Sequence, residues 1–187
     1  MLNKGGRPEF PHESLRAYDA LKHRECSEIA HGNIVALHSP SHNRFIRLCH
    51  DNNVKGHGGQ KDSDKLPLEW ESEKFLVVQV AESTFAFYSV PHGQYLCMNQ
   101  DRKVTGRTAI ELEDASSDQH HFLVKGEGWG RISLHSVPQD SFVRMDQYGN
   151  ICGNATVARE WEHYQVILLM QNPLVINEAE ITIVACP

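Results

Sequence analysis

The chain has 187 residues, 40% of them hydrophobic and 22% charged, with a formal net charge of −6. That length fits one domain whose core needs neither disulfides nor metal, and that balance is neither disordered nor membrane-embedded. An acidic chain also lacks the concentrated Lys/Arg surface that phosphate neutralisation demands, so nucleic acid is not an expected partner.

The N-terminus opens on Asn3, Lys4, Gly5, Gly6, Arg7 and Pro8 with no apolar stretch of the secretory kind, which predicts a cytoplasmic protein. Leu15, Tyr18 and Leu21, with Ala17 beside them, predict one short amphipathic helix within residues 11–25, too short to stand alone.

Three segments with identical internal spacing follow. Ser39, Phe45, Val54 and Gly56 form the first; Ser89, Tyr95, Val104 and Gly106 the second; Ser136, Phe142, Ile151 and Gly153 the third. Each is introduced by a strand-like run (residues 34–38, 85–88 and 132–135) and each closes on an aromatic, Phe75, Phe122 or Tyr164, followed by apolar residues. Pro, Gly, Asn, Asp and Ser between the Ser and the aromatic are hairpin chemistry, and a second polar turn precedes the Val or Ile. The closing Gly predicts a tight bend where a side chain would clash. Each unit thus reads as four strands, and the aromatics, Leu, Val and Ile positions should share one core.

The repeat period of 50 and then 47 residues would also suit propeller blades, but propellers need about four or more. Three units can instead close a six-stranded barrel capped by three hairpins, leaving no free sheet edge. The predicted fold is therefore all-β, a single β-trefoil over residues 33–170. It is preceded by an extension, 1–32, holding the helix, and followed by a tail, 171–187. In that tail Leu174 to Ile176 and Ile181 to Ala185 are strand-like, and either cover the barrel bottom or augment a partner's sheet.

Cys26, Cys49, Cys97, Cys152 and Cys186 are odd in number, widely spaced and free of any C-x-x-C pair, which predicts reduced thiols rather than a disulfide framework or zinc site. No catalytic motif of the G-x-S-x-G or H-E-x-x-H kind is present, so the chain reads as a non-enzymatic protein without cofactor. His120 and His121 are predicted on a strand, pointing to opposite faces, and so make no shared metal site. Trp70 and Trp161, each within Glu-Trp-Glu, stand five and three residues before their closing aromatics and read as loop or rim packing.

The pattern of apolar strand, Ser, Pro/Gly turn, aromatic-Leu strand, polar turn, Val-x-Gly and a polar dyad before the closing aromatic (Glu73 and Lys74 before Phe75, Glu162 and His163 before Tyr164) resembles the fascin-like and hisactophilin-like trefoils over about residues 33–169. That resemblance implies cytoplasmic binding to protein, an actin filament or a larger assembly, although fascins bundle filaments with several tandem trefoils and this chain has room for one. The Gln-x-Trp of ricin-type lectins is missing before Phe75, Phe122 and Tyr164, so a sugar site of that type is not expected. A glycan held by Asp146, Tyr148 and Asn150 is the alternative reading, and a structural subunit of a larger complex a further one.

Histidine is over-represented, with 12 in all. Full protonation would move the formal charge from −6 to +6, and His alone titrates near physiological pH without tuning. His38 and His135 fall at equivalent positions before the repeat Ser, His42 and His92 at equivalent turn positions, and His50 and His57 in or beside the next turn; these six are the candidate residues for a pH-sensitive contact. Hisactophilin-like trefoils also carry loop histidines, and the resemblance implies attachment to a negatively charged surface such as actin or lipid. The longest insertion, from Gly56 to the polar run ending at Lys65, is a further candidate contact surface.

Overall fold

The computed structural model describes residues 27–58, 66–109 and 118–172; the helix expected within 11–25, the polar insertion 59–65 and the tail beyond Asn172 lie outside them. Among the described residues the protein is all-β, with twelve antiparallel strands in one hydrogen-bonded sheet and no helix long and apolar enough to cross a membrane.

The strands are β1 (Ile34–Ser39), β2 (Arg44–Leu48), β3 (Val54–His57), β4 (Phe75–Ala81), β5 (Thr84–Ser89), β6 (Gln94–Met98), β7 (Val104–Arg107), β8 (Phe122–Gly128), β9 (Arg131–Ser136), β10 (Ser141–Met145), β11 (Ile151–Ala155) and β12 (Tyr164–Met170). β1 pairs with β4, β4 with β5, β5 with β8, β8 with β9, β9 with β12, and β12 returns to β1, so six strands close a ring. The hairpins β2–β3, β6–β7 and β10–β11 hang from β1, β5 and β9. The expected tight turn after Ser89 is instead a single 3-10 turn, Val90–His92, because Pro91 pre-sets its backbone.

One core fills the ring, and its residues recur by repeat. The ring strands supply Val35 and Leu37, Phe85 and Phe87, Ile132 and Leu134, with the closing aromatics Phe75, Phe122 and Tyr164 wholly buried. The hairpins add Ile46, Leu48 and Val54; Leu96, Met98 and Val104; Val143, Met145 and Ile151. Ile29, in the loop before β1, joins the same cluster. Asn33 holds that loop and the chain's exit together, donating to the Glu28 carbonyl at 3.0 Å and accepting from the Asn172 amide at 2.9 Å.

The aromatic that opens the second strand of each unit does not join this core, contrary to the sequence expectation. Phe45 lies in a separate cluster with Ala36 and Ile167, backed by Leu66, Trp70 and Leu169. Side chains alternate across a strand, so with Ile46 and Leu48 turned inward Phe45 must face out. It stacks instead on the residue opposite it: His38 on Phe45, Tyr88 on Tyr95 and His135 on Phe142, at centroid distances of 4.8, 4.9 and 4.6 Å.

The repeated Gly is likewise not a bend, but lies within β3, β7 or β11. A Cβ on Gly153 would fall 2.2 Å from Met98 Sδ, one on Gly106 2.6 Å from Leu48 Cδ1, and one on Gly56 2.8 Å from Met145 Sδ. Each hairpin therefore admits a Leu or Met from its neighbour, and the relation runs cyclically. The amides repeat the cycle: Gly56 donates to the Gly149 carbonyl at 2.7 Å, Gly106 to Asn52 at 2.8 Å and Gly153 to Arg102 at 2.7 Å. All three acceptors are left-handed turn residues, with φ of 84°, 62° and 58°.

Candidate functional site

The outer faces of the hairpins carry the polar chemistry. Two residues beyond the opening aromatic stand Arg47, Cys97 and Arg144; two before the closing aromatic stand Glu73, His120 and Glu162. In the first and third units these make an ion pair with a buried carboxylate: Arg47 Nε lies 3.7 Å from Glu73 Oε1, and Arg144 Nε 3.6 Å from Glu162 Oε1. The second unit has lost both charges, since Cys97 is buried and His120 packs its ring against Tyr95 and His121. Burial, then the neighbouring His121, lowers the His120 pKa against a smaller opposing pull from Asp118.

The first and third units part at their tryptophans. In the first, Trp70 turns edge-on to Phe45 at 6.1 Å and packs on His57 at 4.3 Å, while His57 Nδ1 lies 2.6 Å from Glu73 Oε1 outside hydrogen-bond alignment. Leu66 and Trp70 fill the outer face of that hairpin. In the third, the run from the repeat Gly to the closing aromatic is 11 residues instead of 19, and the tryptophan sits two places nearer its aromatic. Trp161 lies in the 3-10 turn Glu160–Glu162, which the Arg159 amide anchors by donating to Glu162 Oε2 at 2.8 Å. Its ring meets the Arg144 guanidinium at 4.4 Å and the edge of His42 at 5.1 Å, and Ser41 Oγ donates to the Glu160 carbonyl at 2.9 Å.

What remains between β10–β11 and this turn is an open depression of about 640 Å³. Arg144, Asn154, Thr156, Arg159, Trp161 and Glu162 supply the chemistry of its wall. Glu162 is almost fully buried, whereas Arg159, Glu160 and Asn154 are exposed at the mouth. Sequence reasoning reads Trp161 as loop or rim packing and Glu162 as part of the repeat pattern, and does not single out Arg144, Asn154, Thr156 or Arg159. The signal available was the unequal Trp offset combined with the shorter connection.

Most of the sequence-predicted residues have structural duties. His38 is buried, with Nε2 donating to Asn43 Oδ1 at 3.1 Å, and His135 repeats the arrangement with Asp140 Oδ1 at 3.2 Å. Asn43 and Asp140 are left-handed, with φ of 48° and 43°, and the third equivalent, Gly93, stands beside Tyr88 instead of a histidine. Asp146 Oδ1 accepts from the Tyr148 and Asn150 amides, both at 2.8 Å, and Oδ2 accepts from Asn150 Nδ2 at 2.8 Å. Although desolvation opposes them, these bonds hold the Asp146 carboxyl below the usual carboxylate range. Tyr148 projects from that turn, 76% exposed. His50 and His92 meet at 4.7 Å, with His92 Nε2 3.0 Å from Ser72 Oγ; burial, then the His50 and Arg47 charges, lowers the His92 pKa. Of the nine candidates, His42 touches a residue lining the depression, Trp161.

No family model matches this chain, and no curated protein matches it in sequence.

His120 and His121 lie in the turn before β8 rather than on a strand, so their rings are not opposed but 4.0 Å apart. Among the described residues no three His, Cys, Asp or Glu side chains are placed to hold a metal ion, and Cys49, Cys97 and Cys152 form no disulfide. Ser133, Glu127 and His163 lie together, yet the carboxylate stands between the other two: Ser133 Oγ donates to Glu127 Oε1 at 2.5 Å and His163 Nε2 is 3.6 Å from Glu127 Oε2. The imidazole therefore cannot act on the hydroxyl, which is wholly buried besides.

Proposed function

We propose that the chain is a non-enzymatic binding module of β-trefoil architecture, in line with its resemblance to fascin-like and hisactophilin-like trefoils, and that its ligand enters the open depression of the third unit. One observation carries the reading: two equivalent hairpin faces carry the same Arg–Glu pair and a tryptophan, and the first is packed shut by Trp70 and Leu66 while the third stays open beside Trp161. Rigid hairpins around a concave, partly charged surface are where ligands are held with little reorganisation. The test is hydrogen–deuterium exchange of the whole protein with filamentous actin, acidic peptides and neutral saccharides in turn. Protection of residues 154–162 by one of them supports the site. No protection anywhere, or protection confined to another face, sinks it.

The histidine-based reading, pH-sensitive attachment to an actin filament, draws its support from the His50–His92 pair. Burial, then the neighbouring His50 and Arg47, lowers the His92 pKa, so charging of that ring beside His50 is displaced to lower pH. Filament co-sedimentation at pH 6 and 7.5 tests it; equal pelleting at both, or none, removes it.

A further inference from the structure

The chemistry of the third-unit depression is selective enough to name a ligand class. Its charges are balanced, Arg144 against Glu162 and Arg159 against Glu160, so the wall offers no net field to a phosphate, a nucleotide or a polyacid. Nor does it suit a peptide. β11, the edge strand that lines the depression, has Cys152 and Gly153 already bonded to the second unit and leaves only Asn154 and Ala155 on its outer side, too few for strand addition; the one exposed aliphatic side chain at the mouth, Val157, does not make the apolar groove that a helical segment requires.

What the wall does present is an indole, Trp161, among planar groups with fixed donor and acceptor directions: the guanidiniums of Arg144 and Arg159, the amide of Asn154 and the carboxylate of Glu160. An indole takes the aliphatic C–H face of a ring, while guanidinium, amide and carboxylate each engage two adjacent hydroxyls. Arg144 is already held by Trp161 and Glu162, so its remaining N–H groups are oriented before anything binds.

We propose that this depression binds a neutral saccharide, with Trp161 under the sugar ring and Arg144, Asn154, Arg159 and Glu160 on its hydroxyls. The inference rests on the binding-module reading above and names the ligand class of the same site. It also moves the sugar away from the turn of Asp146, Tyr148 and Asn150, where the carboxylate is already occupied by that turn's own donors.

The experiment is an amide chemical-shift titration of the full chain with methyl glycosides of neutral hexoses and N-acetylhexosamines at millimolar concentration, with inorganic phosphate and an acidic peptide as comparison probes. Saturable shifts at residues 154–162 from one glycoside and none from phosphate are the expected result. Trp161→Ala should weaken that glycoside by about tenfold, as loss of an aromatic contact would. Trp161→Phe should retain most of the affinity, and Asn154→Ala, at an exposed position, provides a second variant should Trp161→Ala fold poorly. Tyr148→Ala should leave binding unchanged. Shifts at 154–162 from the peptide with none from any glycoside would overturn the saccharide and leave the binding module standing. Glycoside shifts centred on Tyr148 would overturn the site, and no shifts from any probe would overturn both readings.

Discussion

Replacing Gly153 by Ala tests the cyclic packing of the hairpins directly. The new Cβ would stand 2.2 Å from Met98 Sδ and 2.4 Å from Met98 Cε, so the Met98 side chain must retreat by more than 1 Å to reach ordinary contact. Met98 is wholly buried, with Ser141 Oγ 3.3 Å from its sulfur, and has no solvent to swing into. Overpacking of this kind costs about 1–3 kcal/mol. The stiffer unfolded chain returns up to ~1 kcal/mol, so the net loss should be ~1–2 kcal/mol. Urea denaturation of the wild type, the two single variants and the double variant Gly153→Ala/Met98→Ala measures it. Met98→Ala alone should cost about 2–5 kcal/mol, and in that background Gly153→Ala should turn neutral or stabilising, a coupling of ~1–3 kcal/mol. The same destabilisation by Gly153→Ala in both backgrounds would show that Met98 is not what the glycine accommodates.

Four further outcomes are expected. Trp70→Ala should destabilise by about 2–3 kcal/mol, since it uncovers Phe45, while Trp161→Ala, on the open face, should cost ~1 kcal/mol; thermal melts rank the two, and the reverse order would contradict the filled-versus-open distinction. Arg144→Met should destabilise by ~1–3 kcal/mol, because it strips the buried Glu162 of its cation, and the loss should shrink in an Arg144→Met/Glu162→Gln double variant. His120 has a folded pKa below the ordinary imidazole value of 6.5, so below that pH the unfolded chain takes up the proton first. Its contribution is therefore whole above pH 6.5 and lost as pH falls through the folded value; His120→Gln should flatten the stability–pH curve in that window, seen as a smaller change of the urea midpoint on acidification. Asp146 behaves alike at lower pH: its folded pKa lies below 3.8, so Asp146→Ala should remove part of the stability lost below that pH.

The repeat was readable in the sequence because its spacing is set by turns. Asn52, Arg102 and Gly149 must each reach a left-handed conformation immediately before the residue that leads into the next strand, and a residue more or less would break the pairing of Leu48 with Val54 or Met98 with Val104. The same one-dimensional view misplaced Phe45, Tyr95 and Phe142, because an aromatic at a strand start looks like core whichever face it takes, and here Ile46, Leu96 and Val143 hold the inward positions. The glycines were rightly identified as sites where a side chain would clash. Their cause lay elsewhere in the chain, in a Leu or Met 58 and 55 residues away in two cases and 89 in the third, which no local pattern carries. The depression was hardest to read. The two Glu-Trp-Glu triplets are alike as text and differ only in their distance from the next aromatic, yet that difference lets one tryptophan close over its hairpin and leaves the other at the side of an opening.

The cyclic order of the Gly amides has a consequence for how the chain can be divided. Gly106 takes its carbonyl from the unit before it, Gly153 likewise, and Gly56 from the last unit, so the circuit has no beginning. A single unit excised from the chain keeps its own hairpin and loses both neighbours that complete it. Three such units, mixed as separate peptides, regain every partner only when all three meet, and folding should then depend on the third power of concentration. New termini cut between Ala81 and Thr84 would leave that circuit whole, since the β4–β5 turn takes no part in it, and Asn33 already clasps the segment before β1 to the one after β12.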